Sequence, residues 1–312
     1  MSAHTAQAPA PIALFVYNRP VHARRTVESL RANAEAAASD LFVFCDGAKN
    51  AEASAAVEQV REFARGLEGF ASLTVIERER NFGLADSIID GVTRLCRERG
   101  RVIVLEDDLL LSPHFLQYMN EGLNRYADTP QVASIHGYSY PVDCTLPETF
   151  FMRGADCWGW ATWARAWQDF EPDAGKLLLE IRAHGLERDF DFGGAAGYVR
   201  MLEGFIAGRN NSWAVRWHAA AYLRGMLTLY PGRSLVRNIG HDGSGAHSGD
   251  VDAFDSGLAD RPIKLEAIEL AESSVARAAF ERYFRSLHPS LAERVLRRAR
   301  RALGLGAEAA AR

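Results

Sequence analysis

RVIVLEDDLLLSPHF, residues 101–115, decides how the chain is read. Val102 to Leu105 form an apolar, β-favouring run that meets Glu106, Asp107 and Asp108 directly, and apolar sequence resumes at Leu109. Such a run fits a strand buried on both faces. Three adjacent carboxylates at its end repel one another, and partial burial adds to the cost of ionising them. The cluster calls for positive charge. Strand alternation predicts Glu106 and Asp108 on one face and Asp107 on the other.

Working outward, the first 140 residues alternate between two patterns. Apolar strands are expected at 12–18, 41–46, 73–79, 101–107 and 132–138. Helices are expected between them. The first runs from Pro20 to about Ala37, with Pro20 in its opening turn. The second covers about Ala51 to Gly66. The third, ending at Gly100, puts Leu84, Ile88, Val92, Leu95 and Cys96 on one face. The fourth takes Ser112 as N-cap and Pro113 as first helical residue, and presents Phe115, Leu116, Met119 and Leu123.

This alternation predicts an α/β fold, a mostly parallel Rossmann-like sheet with helices on both faces. Ligands bind such sheets at the carboxyl ends of the strands. Polar residues gather there: Asn18-Arg19, Asp46-Gly47, Arg78 to Asn81, and Glu106 to Asp108. No G-x-G-x-x-G or G-x-x-x-x-G-K-[ST] loop occurs at these ends, so neither a dinucleotide fingerprint nor a P-loop is supported.

After residue 140 the pattern changes. Trp158, Trp160, Trp163 and Trp167 crowd into ten residues, a helical mixed region follows, and then the glycine-rich NIGHDGSGAHSGD at 238–250. We expect residues 1–140 to form an α/β half, residues 141–275 a helical and loop-rich half continuous with it, and 276–312 a basic helix and tail.

The chain has 312 residues, 48% apolar and 24% charged, with a net charge of −4. That is ordinary for a globular protein and gives no general pull toward nucleic acid. The four cysteines show neither C-x-x-C nor zinc-ligand spacing. They fit a reducing compartment, and no stretch reaches the length of a membrane span. The N-terminus reads as a short tail feeding a strand, and a cytoplasmic location is expected. RVLRRARRAL (294–303) carries five arginines and could rest on an anionic inner-membrane face, or simply be a solvated basic helix.

A hard divalent cation, Mg²⁺ or Mn²⁺, resolves the repulsion at 106–108 and predicts a diphosphate substrate at this edge. Asp46 and Arg19 share the edge and are candidates for nucleotide contact, although Asp-Gly is also a common turn. Trp158, Trp160 and Trp163 could stack on a sugar or acceptor, or belong to the core. His241 and His247 lie in the glycine-rich segment and could meet a diphosphate. A zinc site from His241, Asp242 and His247 is disfavoured, since no cysteine joins them.

From about residue 12 to residue 250 the chain resembles nucleotide-sugar-dependent glycosyltransferases of the GT-A fold, and within them the N-acetylglucosaminyltransferase I group. VIVLEDDLLLSPHFLQYM is similar to that group's E-D-D-L metal motif. The resemblance implies Asp108 as the direct metal ligand, with Glu106 and Asp107 as nearby ribose or supporting groups. FCDGAKN implies that Asp46 contacts uracil, and FVYNRP places Arg19 at the nucleotide. RGADCWGWATW is similar to a stretch whose Asp is the catalytic base, which carries to Asp156 with Gly159-Trp160 as the following pair. GHDGSGAHSG resembles a loop that closes over the donor, with His247 as its match.

The implied activity is a metal-dependent, inverting hexosyl transfer from a UDP-sugar to a hydroxyl of a glycan or lipid-linked acceptor, as in polysaccharide biosynthesis. Such transfer needs a base opposite the leaving diphosphate, which suits Asp156. The alternatives are a sugar nucleotidyltransferase, which usually opens with a glycine-rich loop that FVYNRPVHARRT lacks, and a non-catalytic nucleotide-sugar-binding module. The sequence does not specify an oligomeric state.

Overall fold

The computed structural model describes residues 8–241 and 253–288. Eight strands build the main sheet: β1 Ile12–Val16, β2 Asp40–Cys45, β3 Ser72–Glu77, β4 Arg101–Glu106, β6 Val132–His136, β7 Thr149–Arg153, β8 Trp160–Trp163 and β9 Leu227–Pro231. Their order is β3-β2-β1-β4-β8-β6-β9-β7. Strands β1 to β4 are mutually parallel, β8 runs antiparallel between β4 and β6, β6 and β9 are parallel, and β7 is an antiparallel edge. Two short strands, β5 Leu109–Leu111 and β10 Val236–Asn238, form a separate antiparallel ribbon.

Helices cover both faces, as the alternation predicts. Along β1, Ile12, Leu14 and Val16 join one core, and Ala13 and Phe15 the other. The first core takes in residues of α1 Pro20–Arg31, α2 Ala51–Arg65 and α4 Phe115–Arg125. The second takes in residues of α3 Leu84–Arg99, α5 Ala164–Trp167, α6 Ala174–Ala183, α7 Glu187–Phe190, α8 Tyr198–Ile206 and α9 Trp213–Leu223. A third cluster packs α10 Ser274–Ser286 on β7 and β9 through Phe280, Phe284, Phe150 and Tyr230. Fully buried aliphatic and aromatic side chains on both faces are the main stabilising contribution, at about 1.5–3 kcal/mol each.

Three local expectations change. Helix α1 stops at Arg31, and Ala34–Ala38 is a 3₁₀ turn. The cause is buried Asn33, whose Nδ2 donates to Ser29 O at 3.1 Å while its Oδ1 accepts from Leu116 N at 2.9 Å. Helix α4 starts at Phe115. Ser112 makes a preceding turn, accepting from Phe115 N, and its hydroxyl donates to Ala259 O at 2.7 Å. Leu84 opens α3 half-exposed while Ile88, Val92, Leu95 and Cys96 are buried.

Among the described residues no helix is long and apolar enough to cross a membrane. The basic 294–303 stretch lies outside the described residues.

Candidate active site

The chain reverses its placement at β1, which lies between β2 and β4. Crevices at such switch points receive ligands. Strand β4 ends at Glu106, paired with Phe15 of β1, and Asp107-Asp108 form a turn into β5. Strand alternation therefore ends one residue earlier than expected. Asp107 and Asp108 both reach one guanidinium, that of Arg19, which opens α1. Arg19 Nη2 donates to Asp107 Oδ1 and, at 2.9 Å, to Asp108 Oδ2. Thr26 of α1 fixes the turn by donating to Asp107 O at 2.7 Å.

The three acids differ. Asp107 is 3% exposed and is the buried counter-ion of Arg19, so it can act on a ligand only through that guanidinium. Burial raises its carboxyl to about 6 against the opposing pull of Arg19. Burial, then Asp108 and Asp107, push Glu106 well above the usual carboxylate range. The Asp108 side chain keeps 13% exposure and faces the crevice.

The ribbon roofs this corner. Asn238 pairs with Leu109, and Ile239 N donates to Asp108 O at 2.8 Å. Gly240 then passes so close that a Cβ would overlap Asp108 Oδ2 and come within 3.0 Å of Arg19 Nη1. His241 follows, its ring between Trp158 (5.6 Å) and Phe254 (5.7 Å). His247 lies outside the described residues.

All donors in the acidic corner are carboxylate oxygens, the hard ligands that Mg²⁺ and Mn²⁺ prefer. Among the described residues no three His, Cys, Asp or Glu side chains group as a ready-made cage. Dications that act on phosphates are commonly held by one or two carboxylates, with substrate completing the shell. Asp108 with Glu106 fits that pattern.

Asp46 stands differently from the expectation that it contacts a base. It is 5% exposed, and Gly47 N, Phe82 N, Gly83 N and Asn81 Nδ2 all donate to it at 2.8–2.9 Å. A carboxylate has about four acceptor sites. All are filled, and Asp46 instead ties the 81–83 segment to the end of β2.

Asp156 lies where the chain enters β8. The register Val104↔Trp160 brings the residues just before Trp160 beside the end of β4, and hence beside Glu106. Asp156 Oδ2 accepts from Tyr140 Oη at 2.8 Å and Tyr230 Oη at 3.2 Å, and Oδ1 accepts from Cys157 N at 2.8 Å. Its side chain keeps 18% exposure.

Burial works to raise this carboxyl, but His136, Tyr140 and Cys157 N–H outweigh it, and the net shift is downward. Burial pushes His136 itself down while Asp156 pulls it up, and its Nε2 accepts from Trp158 N at 3.2 Å. His136, the hydroxyl donor and the amide donor together favour the negative charge of Asp156. Burial, then Asp156 and Glu106, push the Cys157 thiol far up, which leaves it protonated and inert.

Trp158 is half-buried at this edge, against Tyr138. Trp160 does not reach it. The Trp160 ring has no exposure and stacks on Trp213 at 5.4 Å, so its assignment to substrate contact is corrected to core.

The structure thus brings Arg19, Glu106, Asp107, Asp108, Asp156 and Trp158 to one sheet edge. Sequence reasoning missed His136, Tyr140 and Tyr230. For His136 and Tyr140 the signal was present in VASIHGYSY (132–140), which ends an expected strand with His, Tyr, Ser and Tyr beside the other polar strand ends; Tyr230, in β9, had no such local signal.

No family model and no curated protein matches the chain. Among solved structures, it is similar to the mannosyltransferase PcManGT from Pyrobaculum calidifontis, in complex with GDP-Man and Mn²⁺, at 18% identity and a TM-score of 0.29. That match covers 43% of this chain and 38% of the other. It is also similar to S. aureus TarS, at 12% identity and a TM-score of 0.34, over 52% of this chain and 30% of that one. The chain thus spans well under half the length of either structure. At such scores neither likeness assigns an activity.

Proposed function

We propose that the chain is a metal-dependent, inverting glycosyltransferase of the GT-A type, moving a sugar from a nucleoside diphosphate sugar to a hydroxyl acceptor. The motif resemblance favours a UDP-sugar. One observation carries the reading: an acidic corner bearing an arginine and a solvent-reachable Asp156 lie on the same sheet edge.

Asp107 fixes Arg19, whose remaining N–H groups can donate to phosphate oxygens. A divalent cation held by Asp108, with Glu106 beside it, would supply positive charge to the diphosphate leaving group. Asp156 Oδ2 takes two tyrosine hydroxyls and Oδ1 takes one amide. The Asp156 carboxylate takes the acceptor proton as the acceptor oxygen attacks the sugar carbon. One base opposite one leaving group implies a single displacement with inversion. Trp158, half-buried at this edge, can stack on a sugar through its face.

The test is turnover of a nucleotide-sugar panel with Mn²⁺ by the native chain and by Asp156→Asn. The variant should lose roughly 10²–10⁴-fold in rate and keep nucleotide binding. Equal turnover by the two proteins would refute the assignment of the base. Nucleotide binding without turnover of any donor by the native chain would favour a binding module.

A further inference from the structure

The sheet order places Asp156, at the entry to β8, between the acidic corner at β1 and β4 and a second cleft at the ends of β6 and β9. This cleft has a volume of about 320 Å³, within the roughly 300–1,000 Å³ of small-ligand sites. Its walls come from the segment after β6, the turn after β9, and the returning strap around Leu258.

Two features point to a ligand. Ser139 lines the cleft at 2% exposure, and its Oγ has no hydrogen-bond partner among the described residues. Arg233 also lines it. Its Nη2 is paired with Glu148 at 2.9 Å, while its Nη1 is buried and likewise unpartnered. Buried polar groups in folded proteins are nearly always paired. Here a hydroxyl and a guanidinium N–H lie unpaired within the wall of one cleft, where a small shift of either side chain brings them to a bound ligand.

The chemistry of the walls narrows the ligand. Glu148 already balances Arg233, and Asp260 adds a carboxylate, so there is no surplus positive charge to select a phosphate. Leu146 and Leu258 supply apolar surface beside these donors and acceptors. Hydroxyl-bonding groups next to an apolar wall suit a neutral sugar ring. Tyr140 lines the cleft and donates to Asp156 Oδ2 at 2.8 Å, so a ring bound there lies one side chain from the base.

The geometry points to this cleft as the acceptor subsite, holding a neutral, hydroxyl-rich sugar unit. The inference rests on the glycosyltransferase reading and gives it an acceptor class: carbohydrate, not lipid, is what the protein grips beside the reacting hydroxyl.

Saturation-transfer NMR on the full chain tests it, with the methyl glycosides of glucose, galactose, mannose and N-acetylglucosamine as probes. At least one should give a signal. Leu258→Trp, which fills the cleft from a partly exposed position, should abolish it, and Ser139→Ala should weaken binding about two- to tenfold. Thermal stabilisation by UDP, GDP, dTDP or CDP with Mn²⁺ should be unchanged in both variants. No signal on the native chain, or a signal that survives Leu258→Trp, overturns the subsite. Glycoside binding at the cleft with no stabilisation by any nucleotide would uphold it as a sugar site and sink the transferase reading.

Discussion

At Asp156, two tyrosine hydroxyls and one backbone amide hold a negative charge in a buried setting. Hydrogen bonds to a charged group contribute roughly 1.5–3 kcal/mol each, and one pH unit corresponds to about 1.4 kcal/mol. Tyr140→Phe or Tyr230→Phe should therefore raise the carboxyl by about one unit, and the acid limb of the pH–rate profile should move up with it. A fall in rate with an unmoved limb would mean the tyrosines only pack. The linkage has the usual carboxylate sign. A lowered folded pKa contributes stability present above the unfolded value and lost as pH falls through the folded one, below the ordinary Asp range.

Gly240 is set by space alone, because a Cβ there would overlap Asp108. Overpacking costs about 1–3 kcal/mol, so Gly240→Ala should weaken Mn²⁺-dependent nucleotide binding about tenfold. Asp46 makes the opposite prediction. Removing it leaves several buried donors unpaired, at roughly 1–3 kcal/mol each. Asp46→Ala should therefore lower the urea midpoint markedly, and unchanged stability with lost nucleotide selectivity would restore Asp46 as a reader of the base.

At the scale of elements, what the sequence shows depends on which residues a segment answers to. Strands β1, β2, β4 and β6 announce themselves because nearly every residue is buried on one face or the other, while the half-buried edge strand β3 shows through Leu73, Val75 and Ile76. Strand β8 is hidden in WATW, where Trp160 and Trp163 serve opposite cores and tryptophan crowding obscures the period. Helix ends fail where a side chain has a distant partner. Asn33 is diverted to Leu116 N, and Ser112 to Ala259 O, contacts that no local pattern reports. The acidic corner was legible because repulsion is local, whereas the cage around Asp156 joins residues 136, 140 and 230 only through sheet order. Asn33→Ala should cost about 1–3 kcal/mol in a denaturant melt, through loss of the α1–α4 tie.

Across the whole molecule, residues from the second half of the chain lie inside the sheet of the first, since β8 separates β4 from β6. A cut near residue 140 would leave β4 without its antiparallel neighbour, and heat should unfold the described parts in one transition. Chelation should separate activity from stability: EDTA is expected to abolish turnover and tight diphosphate binding while leaving the melting temperature of the ligand-free protein unchanged.

On the proposed function, a dication at Asp108 joins this edge to a diphosphate. Anomalous diffraction from crystals soaked with Mn²⁺ and UDP tests it directly. A manganese peak bonded to Asp108, with phosphate oxygens near Arg19, is the predicted result; a vacant acidic corner with the nucleotide bound in another place would contradict the account.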